Sequence, residues 1–223
     1  MNYFTPDFIQ FLQELPANNN REWFQENKKR YEEFVKIPFE KFITDLIEAF
    51  SNEGLDVGEL TAKECVFRIY RDVRFGLDKS PYKIHVSALI APGGRKNMNS
   101  FGAYVELSGE HVRLYSGAYQ PSPELLTQIR QKIYDEPERL QELISDKKFK
   151  QNFGEIRGEK NKRINKPFSE IIEKQPLILN KSFYYFKNYE PEIVLQKDFI
   201  QQLIKDYKII QPLNRYFEET ITK

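Results

Sequence analysis

The chain has 223 residues, enough for one large domain or two small ones with a real apolar core. Charged residues make up 30% and apolar residues 40%, which excludes a disordered chain. With 34 basic and 33 acidic residues the formal charge is +1, so no global field draws in nucleic acid or anionic lipid. The single cysteine, Cys65, excludes an internal disulfide and a paired-cysteine metal site. Beside Val66 and Phe67 it reads as inert packing. No apolar run approaches the roughly 18–20 residues that span a bilayer. The first residues, MNYFTPDFIQFLQEL, are acidic and lack the basic stretch of a signal peptide. A cytoplasmic protein without a membrane partner is therefore expected. Aromatics reach 14%, which points to a core built from rings.

Thr5-Pro6-Asp7 reads as a helix start, a capping residue followed by Pro at the first helical position. Phe8, Phe11, Leu12 and Leu15 then form one apolar stripe. Pro16 and Asn18-Asn19-Asn20 stop that helix and offer a cap for the next. From Arg21 a long helical pattern passes Trp23, Phe24, Tyr31 and Phe34 and is kinked or restarted at Pro38. Beyond it Phe39, Phe42, Ile43, Leu46, Ile47 and Phe50 keep the 3.6-residue period. Gly54 and Gly58 close this helical region, residues 1–60.

Val66–Phe75 is rich in β-branched and aromatic residues and predicts a strand, with Arg68 and Tyr70 on one face and Phe67 and Ile69 on the other. Gly76–Pro81 reads as a turn. Lys83, His85 and Ser87 alternate with Ile84, Val86 and Ala88, which predicts a half-buried strand. Pro92-Gly93-Gly94 opens a polar loop through Asn99. Phe101–Leu107 and His111–Ser116 predict two further strands joined by the hairpin Ser108-Gly109-Glu110. Residues 64–117 thus predict an antiparallel meander of three to four strands.

Residues 122–223 read as helical and mixed. A helix starts at Ser122-Pro123-Glu124 and buries Leu125, Leu126, Ile129 and Ile133. Another starts at Pro137 with Leu140, Leu143 and Ile144, and a short one covers Asp146–Phe153. Residues 154–166 form a polar, Gly-punctuated loop. Ser182–Phe186 and Glu192–Leu195 have strand character, and Asp198–Ile221 reads as a helix broken at Pro212. This order favours a single α+β domain over residues 1–223, an antiparallel sheet packed with N- and C-terminal helices, rather than a parallel sheet.

The chemistry concentrates between Val66 and His85. Arg68, Arg71, Arg74, Lys79 and Lys83 face only Asp72 and Asp78, a local excess of three positive charges. In one reading each aspartate holds a guanidinium in a bidentate fork and the stretch is a structural lattice. In the other the cations converge on a phosphate or carboxylate, with Asp72, Asp78 or His85 as candidate catalytic proton-transfer groups. His111, beside a turn, is expected to be solvated. His85 with Asp72, Asp78 or Glu106 matches no metal spacing, and the arginines would repel a cation. No metal and no cofactor are expected. The chain has no GxGxxG, GxSxG or HExxH motif and no Walker loop. The loop after Gly154 adds Arg157, Lys160, Lys162, Arg163 and Lys166 against Glu159. It reads as an exposed charged loop or as one that closes over the same anion.

Asn19, Arg21, Trp23 and Phe24 in NNNREWF, then Lys28 and Tyr31, form one motif. Phe67-Arg68, Arg71-Asp72, Arg74-Phe75 and Asp78-Lys79-Ser80-Pro81-Tyr82-Lys83 form a second. Together they resemble the mainly bacterial domain-of-unknown-function family 2461, with a weaker likeness at Gly102-Ala103-Tyr104, Gly117 and Arg157-Gly158. The resemblance covers most of the chain. It implies a widespread soluble intracellular domain, brings no established activity, and supports treating the two motifs as one unit. In the third region the family looks like Arg-Gly-x-x-Leu-Lys followed by a Pro-rich run, whereas Lys160, Asn161, Lys162 and Arg163 follow here. Trp23 and Phe24 read as packing anchors and Asn19 as a helix cap. If that helix start faces the second motif, its free N–H groups and Arg21 complete one basic pocket.

The functional reading is binding of, or catalysis on, a small phosphorylated or carboxylated ligand held by Arg68, Arg71, Arg74, Lys79, Lys83 and Arg21. Enzyme and binding protein both stay open. One alternative is a nucleic-acid-associated module with Tyr70, Phe75 or Tyr104 stacked on bases, which the near-neutral charge disfavours. The other is a protein-interaction domain whose Arg–Asp lattice is purely structural.

Overall fold

The computed structural model describes residues 1–55, 57–74, 76–97 and 99–220. The fold is α+β, with helices before and after a four-strand antiparallel sheet. The sheet order is β1 (His85–Ile90), β2 (Ala103–Ser108), β3 (Val112–Ala118) and β4 (Phe183–Tyr189), each strand beside its predecessor. Chain contacts divide the protein into two compact units. The first takes Met1–Lys96, Tyr104–Leu114 and Asn188–Ile204; the second takes Asn97–Ala103, Tyr115–Lys187 and the residues from Lys205 onward. Among the described residues no helix is long and apolar enough to cross a membrane.

In the first unit, α1 (Pro6–Glu14) starts at its proline, but Thr5 does not cap it, because its hydroxyl donates to Asp7 instead. The long helix expected from Arg21 is in fact interrupted. α2 (Arg21–Glu26) stops at Asn27, whose side chain donates back to the Trp23 carbonyl, 2.9 Å. A short turn α3 (Lys28–Arg30) and a π-helical turn at Tyr31–Lys36 follow. α4 (Ile37–Asn52) then restarts with Pro38 in its first turn, where a missing N–H costs nothing. Its apolar stripe is buried as its period predicts, and Phe42 stacks on Phe199 at 5.0 Å. Each such ring contributes roughly 1.5–3 kcal/mol by leaving water.

The first predicted strand is not a strand. After the four-residue α5 (Ala62–Cys65), residues 66–71 run extended and antiparallel to residues 81–88, joined by two isolated bridges, Val66↔Ala88 and Tyr70↔Tyr82. Three residues separate the bridges on one side and five on the other, so the 81–88 side bulges. The bulge also breaks the alternation expected for residues 83–88. Ile84 is 44% exposed, while Val86 through Ile90 are all buried. The expected strand end at Phe75 lies outside the described residues.

In the second unit, α6 (Pro123–Asp135), α7 (Pro137–Ser145) and α8 (Lys147–Asn152) lie where their stripes place them, with Ser122 and Asp146 capping α6 and α8. The loop at 154–166 is partly paired rather than simply exposed. Arg157 exchanges backbone hydrogen bonds with Tyr184, at 2.7 and 3.1 Å, and its guanidinium covers the Phe186 ring at 4.2 Å. Phe101 stacks on Phe217, and Asn214 accepts from the Tyr185 hydroxyl and from Ser116 while donating to Tyr207.

Two further expectations fail. Residues 191–195 form a 3-10 turn, not a strand, because Pro191 opens it and the Ile193 N–H closes on the Glu190 carbonyl. α9 (Phe199–Glu218) continues through Pro212 without a break. Its buried face, including Leu203, Ile210, Leu213 and Phe217, outweighs one missing hydrogen bond. Ile221, the expected helix end, lies outside the described residues.

Gly117 is one of the tightest backbone positions among the described residues. Its φ is +104°, and a β-carbon there would lie 2.1 Å from the Phe183 carbonyl oxygen. Gly54 also has a positive φ, +74°, but its surroundings are open. Gly117→Ala is expected to destabilise by about 2–4 kcal/mol and Gly54→Ala by about 1 kcal/mol, read as urea unfolding midpoints.

Candidate functional site

The two sequence motifs meet in the first unit. Asn20, not Asn19, caps α2 by accepting the Trp23 N–H at 2.9 Å. Asn19 instead grips the main chain of Tyr82 twice, donating to its carbonyl at 2.9 Å and accepting its N–H at 3.0 Å. Phe24 stacks on the Tyr82 ring, centroids 3.9 Å apart and planes 15° apart. Tyr70 lies beside that ring pair, 5.4 Å from Tyr82 and 6.5 Å from Phe24, and is 53% exposed. The Arg71 N–H closes the corner on the Pro81 carbonyl at 2.9 Å. The result is an open cleft of about 480 Å³ lined by Arg21, Glu22 and Gln25 from α2 and by Tyr70, Arg71, Val73, Pro81 and Tyr82.

The cations divide into two kinds. Arg74 grips Asp72 with two parallel hydrogen bonds, Nε to Oδ1 at 2.9 Å and Nη2 to Oδ2 at 2.7 Å. Arg71 pairs with Asp78, which also accepts the Ser80 N–H at 2.9 Å. Lys79 donates to the Val73 carbonyl at 2.8 Å. Hydrogen bonds from Arg74 hold the Asp72 carboxyl down at about 2. Those from Ser80 and Arg71 hold Asp78 well below the usual carboxylate range. Both aspartates are thus committed anions and poor proton acceptors near neutral pH. Arg21 and Arg68 are exposed, and no hydrogen bond or ion pair to either is found among the described residues. Lys83 is half-buried with its ammonium 5.1 Å from the Phe67 ring. Burial, reinforced by Arg68 and partly offset by Glu106, lowers its pKa.

A second polar group surrounds Glu106 of β2. The Oε1 of Glu106 lies 3.1 Å from His111 Nε2 and 3.8 Å from Arg113 Nη1, and its Oε2 lies 3.6 Å from His85 Nε2. His111, expected to be solvated, is half-buried and lies against this carboxylate. Burial lowers the pKa of His85, and Glu106 opposes that shift. Among the described residues no three His, Cys, Asp or Glu side chains are grouped so as to hold a metal ion. Cys65 is fully buried, which pushes its thiol up to about 11. That suits packing and not nucleophilic attack.

The structure therefore brings Arg21 and Arg71 together in one cleft, while His85 lies beside Glu106 and Lys83 against the Phe67 ring. Arg68, Arg74 and Lys79 do not line the cleft. Because α2 has six residues and Asn20 already takes an N–H, the helix start adds no anion site of its own. Sequence reasoning missed the clamp by Asn19 and the central place of Glu106. Neither has a local signal, since both depend on pairing between distant residues. The family model described as Conserved hypothetical protein (DUF2461) matches residues 7–216. No curated protein matches the chain.

Asn19→Ala leaves the Tyr82 N–H and carbonyl without partners and is expected to cost about 1–3 kcal/mol. Trp23, the only tryptophan, sits beside Phe11 at 5.4 Å and provides the fluorescence readout of that loss in a urea titration.

Proposed function

The chain belongs to the DUF2461 family, and we propose that it binds a small phosphorylated or carboxylated ligand in the cleft built by its two motifs. The observation that supports this reading most is Arg21. It lines the cleft beside Arg71 without an ion pair to any described carboxylate. A cleft of about 480 Å³ has the volume of an ordinary small-molecule site, and Tyr70 and Tyr82 give it aromatic walls. Arg71 can exchange its exposed Asp78 partner for a ligand carboxylate or phosphate of equal charge, with little change in its own environment. Glu22, on the same wall, favours a ligand that also presents a hydrogen-bond donor.

The nucleic-acid reading has less support. Tyr104 packs on Phe67 with centroids 5.9 Å apart, so of the three proposed stacking rings only Tyr70 lines the cleft, and Phe75 lies outside the described residues. A cytoplasmic, bacterial setting is part of the same proposal and is carried by the family resemblance.

Arg21 is exposed and makes no hydrogen bond among the described residues, so Arg21→Ala should leave the unfolding midpoint unchanged. Titration with inorganic phosphate and with acetate, followed by amide chemical shifts, is expected to map onto α2 and residues 70–82. Arg21→Ala should weaken the response about tenfold or more, the value of one charge-assisted contact. Equal titration of both proteins would overturn the proposal.

A further inference from the structure

Arg21 and Glu22 are neighbours at the start of α2, and both line the cleft together with Gln25. Their charges are opposite, yet consecutive helical side chains diverge by about 100° and do not face each other. No ion pair joins them. The side chains of Arg21, Glu22 and Gln25 make no hydrogen bond or ion pair among the described residues. Arg71 differs, because Asp78 already pairs with it. The unmatched charges of the cleft wall are therefore one cation and one anion, both exposed. A dianion there is attracted by Arg21 and repelled by Glu22, and a lone ammonium meets the reverse. A molecule with one charge of each sign suits both.

The rest of the wall is apolar. Tyr70 leaves about half of its ring in water, and Val73 and Pro81 continue that surface. An apolar group on the ligand would cover it. The volume, about 480 Å³, holds a small molecule that carries a side chain of its own.

We propose that the cleft selects a small zwitterion, a free amino acid or short peptide with an aromatic or aliphatic side chain. Its carboxylate pairs with Arg21, its ammonium with Glu22, and its side chain lies on Tyr70, Val73 and Pro81. Gln25 is four residues from Arg21 and three from Glu22, a helical neighbour of both, and its amide can donate and accept. This rests on the reading of the cleft as a small-anion site. It narrows the ligand from any phosphate or carboxylate to one with a matching ammonium. Glu22 also lies in the first turn of α2, where the helix dipole favours a carboxylate whatever the ligand. Binding measurements separate these two roles.

Three probes share one side chain: L-phenylalanine, N-acetyl-L-phenylalanine without the ammonium, and L-phenylalaninamide without the carboxylate. Each is titrated into the full chain at about pH 6, where the amines are charged, and followed by amide shifts of α2 and residues 70–82. Phenylalanine is expected to bind about tenfold more tightly than either analogue, the value of one charge-assisted contact. Glu22→Gln should remove its advantage over the N-acetyl form, and Arg21→Ala its advantage over the amide. Both variants, at exposed positions, should nearly keep the unfolding midpoint. Glycyl-L-phenylalanine, whose charges stand further apart, distinguishes peptide from free amino acid by which binds more tightly. The proposal is overturned if N-acetylphenylalanine binds as tightly as phenylalanine, or if Glu22→Gln lowers the unfolding midpoint and leaves that preference intact. Should phosphate and acetate still titrate the cleft in that case, its anion reading stands and the zwitterion falls. If no probe of either kind shifts it, both fall.

Discussion

The paired hydrogen bonds between the Asn19 side chain and the Tyr82 main chain are the constraint on which the site depends. Residues 66–71 and 81–88 lack a continuous ladder, and two isolated bridges alone would leave their corner loose. An Asn amide carries one donor and one acceptor in nearly the spacing of a peptide group, so it gives Tyr82 the two bonds a neighbouring strand would give. With the main chain so fixed, the Tyr82 ring, 5% exposed, lies flat on Phe24. Helix α2 is anchored through that ring, and Arg21, three residues earlier, is carried to the cleft. The two motifs therefore act as one structural unit. A side-chain amide replaces secondary structure at the point where they meet.

Of the lattice and the cradle, which the sequence presents as alternatives, the structure contains the lattice pairs, and these limit the cations a cradle could use. Asp72 and Asp78 neutralise Arg74 and Arg71, and the Val73 carbonyl holds Lys79. These pairs are exposed, and exposed ion pairs contribute little to stability, about 0–1 kcal/mol each. Their role is to fix the loop's conformation more than to hold the fold. That leaves Arg21, Arg68 and Lys83 as the cations of this set whose charged groups have neither a hydrogen bond nor an ion pair among the described residues. The lattice thus narrows the set of functional candidates from six cations to three, with Arg71 as a fourth that can exchange its partner.

The fold was legible wherever period and local capping decide the outcome. The α4 stripe, the strands β2 and β3, and the helices after Ser122 and Pro137 all follow from apolar spacing and turn residues. Two of the failures come from tertiary structure that overrides local preference, whereas Asn27 and Pro191 act locally. Val66–Phe75 has strand composition but only bridges to residues 81–88, and Pro212 sits inside a helix whose buried face holds it. Gly117 and Gly158 entered as weak likenesses to a family; their reason is steric. A β-carbon on Gly158 would lie 2.0 Å from the Ser182 carbonyl oxygen, as one on Gly117 would meet Phe183. The site was legible as a set of cations and not as a geometry. Residue type shows charge, but not which partner cancels it: Arg74 takes Asp72 two residues away and Arg71 takes Asp78 seven residues away.

The bulge in residues 83–87 explains why one short segment serves two places. In a regular hairpin the side chains of one strand alternate strictly, and a slip of one residue exchanges the faces. Here the extra residues lie between Tyr82 and Ala88. On the near side of the bulge Tyr82 keeps its contacts with Phe24 and Tyr70, at the cleft. Beyond it Lys83 lies against Phe67, and His85 faces Glu106. Ile84 is left exposed between them, an apolar side chain in water where a regular strand would bury it. That exposure is the cost of re-aiming Lys83 and His85. The bulge thus separates what a regular strand would alternate, with Tyr82 on Phe24 before it and His85 turned to Glu106 within it.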